Sequence, residues 1–239
     1  MAWWRSSDAG DGGASGDGAA RERRALLAEI ADEAAATAEW TGRARFDDRV
    51  MAAMADVARD AFVPEAERAY AWLNQPLPIG YRQTISQPFI VALMTDMIDP
   101  RPDHVVLEIG TGSGYQAAVL SRLVRKVYSI ERVPELAASA AERLKRLGYG
   151  NVEVRAGDGA LGWPEHAPFD GILVTAAAPS MPPALVAQLK AGGTMIIPVG
   201  EPGSQGLMLV RRTADGGSDS RNVLPVAFVP LLSDAGKRA

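Results

Sequence analysis

A repeated alternation of short apolar strands and helical segments in the second half of the chain most constrains the fold. Residues 104–109 read HVVLEI and lead directly into the glycine run GTGSG. Further apolar segments predict strands at residues 126–130, 152–154, 169–175 and 194–198. Repeated strand–helix units of this kind are typical of a parallel sheet covered by helices on both faces. We therefore predict an α/β fold with a doubly wound, Rossmann-like, mostly parallel sheet.

The C-terminal part departs from this alternation. Residues 207–213 and 223–231 have strand-like patterns and are joined by the polar turn ADGGSDSRN. Strands joined by a short turn pair antiparallel. We therefore expect them to add antiparallel strands at one edge of the sheet.

The N-terminal half is predicted to be helical and then irregular. An Ala- and Glu-rich helix over residues 21–40 ends near Gly42, and a second helix carries a stripe of apolar side chains that includes Phe46, Val50 and Met54. Residues 74–88, NQPLPIGYRQTISQP, are rich in proline and predict a long irregular loop. Loops of that length are often functional.

These patterns divide the chain into three parts. We predict a flexible tail over residues 1–20, a helical cap with the irregular loop over residues 21–100, and an α/β core over residues 101–239. Residues 21–239 are expected to pack as one domain, because 239 residues suit a single core better than two.

Composition narrows the classes of function. The chain carries 25 basic and 29 acidic side chains, a net charge of −4, which argues against binding of nucleic acid or of an anionic membrane surface. The absence of cysteine excludes disulfides, thiolate metal sites and a cysteine nucleophile.

Neither His104 nor His166 has a partner at metal-ligand spacing, so no metal is expected. Because no signal peptide or membrane span is recognisable, we expect a cytoplasmic protein.

The glycine run predicts a site for a nucleotide-like ligand. Gly110, Gly112 and Gly114 follow the first strand, but Tyr115 stands where the dinucleotide fingerprint has glycine or alanine. Glu108, at the end of the strand, would repel a diphosphate and attract a ligand with an ammonium and a sulfonium group. The acid therefore favours S-adenosylmethionine over a dinucleotide.

Two further acids follow the next two strands. Glu131 occupies the position at which a carboxylate accepts hydrogen bonds from the two ribose hydroxyls. Asp158 lies in the sequence GDG, where it could accept a hydrogen bond from the adenine amino group while Gly159 permits close approach. Because the carboxyl ends of parallel strands meet at one sheet edge, we expect the three acids to line one ligand site.

The segments LEIGTGSGY, GDG, VTAAAP, IPVG and above all PIGYRQTISQP together resemble the protein-L-isoaspartate O-methyltransferase family. The likeness runs from about residue 45 to residue 232. It implies a methyl transfer from S-adenosylmethionine to the α-carboxyl of isoaspartyl residues in damaged proteins and peptides, which starts repair through a succinimide. The β-carboxyl of D-aspartyl residues is a second candidate acceptor.

The resemblance also assigns site residues. Ser86 takes the position of the active-site serine, and Gln83, Thr84 and Ile85 flank both cofactor and substrate. The segment 108–114, which includes Ser113, matches the cofactor loop. The regions that close the peptide cleft correspond to Thr175, Val229, Pro230 and Leu231. The chain departs from many relatives at Arg82, where they have glycine, and at Ala227, where many bacterial relatives have a basic residue.

The acceptor chemistry suits a site that lacks histidine. A carboxylate is already ionised at neutral pH, so it needs no general base, and Ser86 is best interpreted as a hydrogen-bond donor that orients it. Three alternatives stay open: a methyltransferase for an aspartate of a dedicated precursor peptide, a small-molecule O-methyltransferase, and a non-catalytic S-adenosylmethionine-binding protein. A monomer is expected, because no amphipathic face is left over.

Overall fold

Helices and a hairpin form the N-terminal half of the chain. The computed structural model describes the backbone of residues 13–233 and the side chains of residues 18–233. The first three helices are α1 (Gly13–Ala36), α2 (Ala38–Thr41) and α3 (Asp48–Asp56). Helix α1 begins inside the segment predicted to be a flexible tail, and the rest of that prediction, residues 1–12, lies outside the described residues.

Local signals explain where these helices begin and end. Gly42, at φ +72°, follows α2 in the left-handed conformation that glycine adopts without strain. The Asp47 side chain caps α3 by accepting a hydrogen bond of 2.8 Å from the Arg49 N–H. Val50 and Met54 are buried, as their stripe predicts.

A β-hairpin occupies most of the segment that we predicted to be an irregular loop. Strand β1 (Leu77–Gly80) pairs antiparallel with β2 (Gln83–Ile85). The prolines in this segment argued against strands, but each strand of a two-stranded ribbon has an unpaired side that tolerates proline. Helix α4 (Pro88–Met97) follows and is buried on nearly every side, so it acts as the core of the helical layer.

The second half of the chain confirms the doubly wound α/β sheet. Its elements are β3 (Val105–Ile109), α5 (Tyr115–Ser121), β4 (Lys126–Glu131), α6 (Pro134–Arg146), β5 (Val152–Ala156), β6 (Phe169–Val174), α7 (Pro183–Ala187), β7 (Leu189–Glu201), β8 (Ser204–Arg212) and β9 (Ser218–Val226). The strand order is β5-β4-β3-β6-β7-β8-β9, with parallel pairing from β5 to β7.

The antiparallel edge is also confirmed, with shifted bounds. Strands β8 and β9 extend the sheet beyond β7 by antiparallel pairing. Strand β9 begins inside the polar turn that we predicted and ends before residues 229–231. A polar sequence is tolerated there because β9 is an edge strand with an exposed side.

Successive strand residues point to opposite faces of the sheet and build two cores. Val106, Val127 and Leu173 join the core shared with the N-terminal helices, whereas Leu107 and Ile172 join the core on the other face. Within residues 13–233 no helix is long and apolar enough to cross a membrane.

The chain reverses its direction of winding at β3, because β4 lies on one side of β3 and β6 on the other. In open α/β sheets the ligand site lies at such a switch point, beyond the carboxyl ends of the strands. The loops that follow β3, β4, β5 and β6 are therefore the segments that form the site.

Candidate active site

A cavity lies at the predicted edge of the sheet and brings most of the predicted residues together. This first cavity has a volume of about 50 Å³ and opens to solvent. Its walls come from the loops after four parallel strands, from the β1–β2 hairpin and from the segment after β9. The predicted residues that line it are Gln83, Thr84, Gly110, Gly112, Glu131, Gly159, Thr175, Val229, Pro230 and Leu231.

The glycine loop needs glycine at its first position. Gly110 has a φ of +93°, which side-chain-bearing residues rarely adopt, and a β-carbon there would collide with Thr175 Oγ1. That hydroxyl donates hydrogen bonds to the carbonyls of Gly110, at 2.7 Å, and Ile109, at 3.0 Å. Thr175 therefore joins the loops after β3 and β6 at the floor of the first cavity.

Glu131 lines the first cavity with an oriented carboxylate. Its Oε2 accepts a hydrogen bond of 2.8 Å from the Gly112 N–H, and its Oε1 accepts one of 2.9 Å from the Val133 N–H. A carboxylate has about four acceptor positions, so each oxygen can accept one more hydrogen bond. This arrangement suits a vicinal diol, and together with the glycine cradle it fits the adenosyl part of S-adenosylmethionine.

Glu108 lies beneath the glycine loop instead of in the cavity wall. Its side chain is fully buried and accepts a hydrogen bond from Ser129 Oγ, which also pairs with Thr111 Oγ1 at 2.6 Å. Burial raises the pKa of Glu108 to about 8, so the group is neutral at pH 7. Glu108 does not line the first cavity, because the adjacent Ile109 points into it and successive strand side chains alternate between the faces of the sheet.

Five other predicted cofactor residues also lie outside the lining of the first cavity: Ser86, which is described below, and Ile85, Ser113, Gly114 and Asp158. Ile85 and Ser113 are buried, and the Ser113 carbonyl accepts a hydrogen bond of 2.8 Å from Arg143 Nη1. Gly114 precedes α5 and packs beneath Leu144. Asp158 accepts a hydrogen bond of 3.0 Å from the Ala160 N–H and another of 2.9 Å from Ser233 Oγ.

A second cavity adjoins the first and contains Ser86. It has a volume of about 520 Å³ and shares Thr84, Thr175 and Val229 with the first cavity. Ser86 therefore lies on the far side of the shared wall and does not line the first cavity. The other lining residues are Glu33, Pro76, Gln87, Phe89, Ile90, Leu224, Pro225, Val226, Ala227 and Phe228.

Arg59 is a residue of the site that sequence reasoning missed. It is 0% exposed, and its guanidinium donates hydrogen bonds to backbone carbonyls of four residues, Ala71, Leu73, Gln75 and Ser86, at 2.6–3.3 Å. Burial lowers its pKa to about 10, so it is still charged at pH 7. The guanidinium thus fixes the backbone that presents Ser86. This role could not be predicted from the local sequence, because the two residues are 27 positions apart.

Glu33 of α1 is the second missed residue. Its Oε2 accepts hydrogen bonds from Asn74 Nδ2 at 2.7 Å and from Gln87 Nε2 at 3.3 Å. No local motif surrounds it, and its contact with Gln87 spans 54 residues. Among side chains 18–233, no group of three His, Asp or Glu residues is arranged to hold a metal ion.

Comparisons with known proteins give one consistent result. The family model described as protein-L-isoaspartate(D-aspartate) O-methyltransferase (PCMT) matches residues 36–236. Protein-L-isoaspartate O-methyltransferase 2 of Syntrophobacter fumaroxidans is 59% identical over 92% of this chain and 89% of its own length. The enzyme of the same name from Nitrosococcus oceani is 55% identical over 88% of this chain and 96% of its own length.

Solved structures agree with this result. A protein-L-isoaspartate O-methyltransferase superposes with a TM-score of 0.77 and 27% identity, covering 90% of this chain and 68% of that one. A beta-aspartate methyltransferase (PCMT) of Plasmodium falciparum, solved in complex with S-adenosyl-L-homocysteine, gives a TM-score of 0.72 at 25% identity. That superposition covers 88% of this chain and 98% of the other.

Proposed function

The chain belongs to the protein-L-isoaspartate(D-aspartate) O-methyltransferase family, and we propose that its two adjoining cavities divide the reaction between donor and acceptor. The protein is an S-adenosylmethionine-dependent methyltransferase that acts on isoaspartyl residues and so initiates repair. The observation that carries our division of roles is the wall of Thr84, Thr175 and Val229 shared by the two cavities.

The first cavity is the donor side. The Gly110–Gly112 backbone and Glu131 would hold the donor, with Glu131 accepting from the ribose hydroxyls through its two remaining acceptor positions. Asp158 and Gly159 are assigned to the adenine end, and Glu108 acts indirectly by supporting the loop. When bound, S-adenosylmethionine supplies an electrophilic methyl group on a positively charged sulfur.

The second cavity is the acceptor side. Ser86 donates a hydrogen bond to the substrate carboxylate and fixes one oxygen in the direction of the shared wall, and Arg59 holds the Ser86 backbone in place. The acceptor is ionised at neutral pH, so no residue needs to remove a proton. Charge is lost as a carboxylate becomes an ester, so walls made mainly of neutral and apolar side chains favour the transition state over the separated ions.

The alternatives considered from the sequence are not favoured. Relatives with 51–59% identity over most of this chain carry the name protein-L-isoaspartate O-methyltransferase. This supports a repair enzyme over a methyltransferase for a dedicated precursor peptide, a small-molecule O-methyltransferase or a non-catalytic binding protein. A monomeric state, a cytoplasmic location, independence of metal, and the lack of nucleic-acid and membrane partners stay predictions from composition and pattern.

The test is a comparison of two peptides that differ at one linkage. With radiolabelled S-adenosylmethionine, the purified protein should label an isoaspartyl peptide and leave its normal aspartyl twin unlabelled. Base-labile label is expected, because the product is a carboxyl ester. Equal labelling of the two peptides, or labelling of neither, would overturn the assignment.

A further inference from the structure

One charged side chain stands in the otherwise uncharged second cavity. Of the described residues that line it, only Glu33 has an ionisable side chain. It comes from α1, nearly all of which precedes residues 36–236, the segment matched by the family model. The glycine loop, the shared wall and Ser86 all lie inside that segment. Glu33 therefore adds a charge to the acceptor cavity from just outside the segment that the family model matches.

The surroundings of Glu33 orient its carboxylate without neutralising it. Asn74 and Gln87 donate hydrogen bonds through neutral amides. No cation of the described part of the chain contributes to the pKa of Glu33, which burial raises, with Glu29 adding a smaller repulsion. An ion pair with an incoming cation would therefore relieve a burial cost that the two amide hydrogen bonds offset only in part.

Glu33 is close enough to Ser86 to contact the same peptide. Gln87 follows Ser86 in the chain, and its amide reaches Glu33 at 3.3 Å. The span from Ser86 to Glu33 is thus one peptide unit and one glutamine side chain. An extended peptide covers such a span in about two or three residues of roughly 3.3 Å each.

We propose that Glu33 is a specificity-determining residue, which favours isoaspartyl peptides that carry lysine or arginine within about three residues of the isoaspartate. This inference rests on the assignment of the second cavity to the acceptor. The carboxylate attracts the flanking cation, while Ser86 engages the isoaspartyl carboxylate at the other end. Ala227, on the wall of the same cavity, adds no competing charge.

The experiment measures kcat/KM for a set of isoaspartyl peptides of one length. Lysine, norleucine or glutamate is placed at each of the three positions on either side of the isoaspartate, so that norleucine keeps the apolar stem of lysine without its charge. At low ionic strength, kcat/KM of the wild type should be about fivefold higher for the lysine peptide than for the norleucine peptide in at least one position. That ratio corresponds to the upper end of the free energy that a partly exposed ion pair contributes. Raising the salt should reduce that ratio, because screening weakens the pair.

Two substitutions locate the effect. Glu33→Gln keeps the shape and a hydrogen-bond acceptor, and it should bring the lysine-to-norleucine ratio to about one. Glu29→Gln removes the same charge one turn earlier on α1 from an exposed position and should keep the wild-type ratio. Thermal unfolding of each variant checks that it is folded.

The outcomes separate this inference from the assignment of function. If the norleucine isoaspartyl peptide is methylated and its aspartyl twin is not, the function stands. In that case, the role of Glu33 is overturned by either of two results. One is a wild type whose kcat/KM does not depend on charge at any of the six positions, and the other is a Glu33→Gln variant that keeps the lysine preference. If neither isoaspartyl nor aspartyl peptides are methylated, the assignment of function fails first.

Discussion

Arg59 Nη2 donates a hydrogen bond of 3.1 Å to the carbonyl of Ser86, so a fully buried cation holds the residue that we place next to the acceptor. The partners of this guanidinium are backbone carbonyls on both sides of the β1–β2 hairpin. The position of Ser86 is thus coupled to the folding of the helical layer.

Replacing Arg59 should therefore cost stability. Arg59→Met removes every donor and leaves buried carbonyls unpaired, so we expect the free energy of unfolding to fall by about 3–5 kcal/mol. Urea unfolding measures the change. Arg45→Met removes a guanidinium that is 80% exposed and should alter stability by less than about 0.5 kcal/mol. Similar losses in the two variants would contradict a structural role for the buried cation.

Ser86→Ala should separate catalysis from donor binding. Because Ser86 lines only the second cavity, we expect kcat to fall about ten- to a hundredfold through loss of acceptor orientation. The dissociation constant for S-adenosylhomocysteine, measured by calorimetry, should stay within about threefold. Ser204→Ala, on the exposed part of β8, serves as the control. Loss of donor affinity in Ser86→Ala would make the serine structural.

Glu131→Ala should have the opposite effect. It removes the proposed acceptor of the ribose hydroxyls and releases the Gly112 N–H, so S-adenosylhomocysteine should bind about ten- to a hundredfold more weakly. At saturating donor, kcat should change much less. Glu135→Ala removes an exposed acid four residues further along the chain and should leave affinity unchanged. Unchanged affinity in Glu131→Ala would refute the ribose role.

Glu108 should make stability depend on pH. Its pKa is raised from about 4.3 in the unfolded chain to about 8 in the folded protein, so the folded state holds a proton that the unfolded chain releases. The resulting stabilisation is complete below about pH 4 and is lost as the pH rises towards 8.

The matched variant is Glu108→Gln, whose amide stays neutral throughout. Its stability relative to the wild type should increase with pH by up to about 1.4 kcal/mol per unit between pH 5 and 8. Urea unfolding at several pH values measures the slope, and the exposed Glu201→Gln should show none. Parallel profiles for wild type and Glu108→Gln would show that the buried acid is not protonated.

The backbone at the tip of the β1–β2 hairpin is strained, and a substitution can relieve that strain. Tyr81 and Arg82 have φ values of 50° and 58°, in the left-handed region that favours glycine. Arg82→Gly should raise the free energy of unfolding by about 0.5–1 kcal/mol, after allowance for the greater freedom of glycine in the unfolded chain. Arg82→Ala keeps the β-carbon and should give no gain. If both variants gain equally, the effect arises from charge.

The sheet could be predicted because its signal is local. Apolar strands alternate with helical segments, and the first strand leads directly into glycines whose conformation the turn requires. The hairpin was not predicted, because Pro76 and Pro78 are typical of loops and argue against a strand. Glu108 lies outside the lining of the first cavity, because strand alternation places its side chain opposite that of Ile109, which does line the cavity.

The remaining site residues could not be predicted, because tertiary packing brings them there. Arg59 and Glu33 reach the Ser86 region across 27 and 54 residues of chain. Neither residue lies in a sequence motif whose spacing predicts a contact with the Ser86 region. Their partners are backbone carbonyls and side-chain amides, which no sequence pattern specifies.

The different linings of the two cavities affect how this enzyme can diversify. The cavity that we assign to the methyl donor is lined mainly by loops of the parallel sheet, whereas the cavity that we assign to the peptide is lined mainly by α1, the segment around the hairpin and the end of β9. Selection can therefore retune which damaged proteins are repaired by altering peripheral elements, with the transfer machinery left intact.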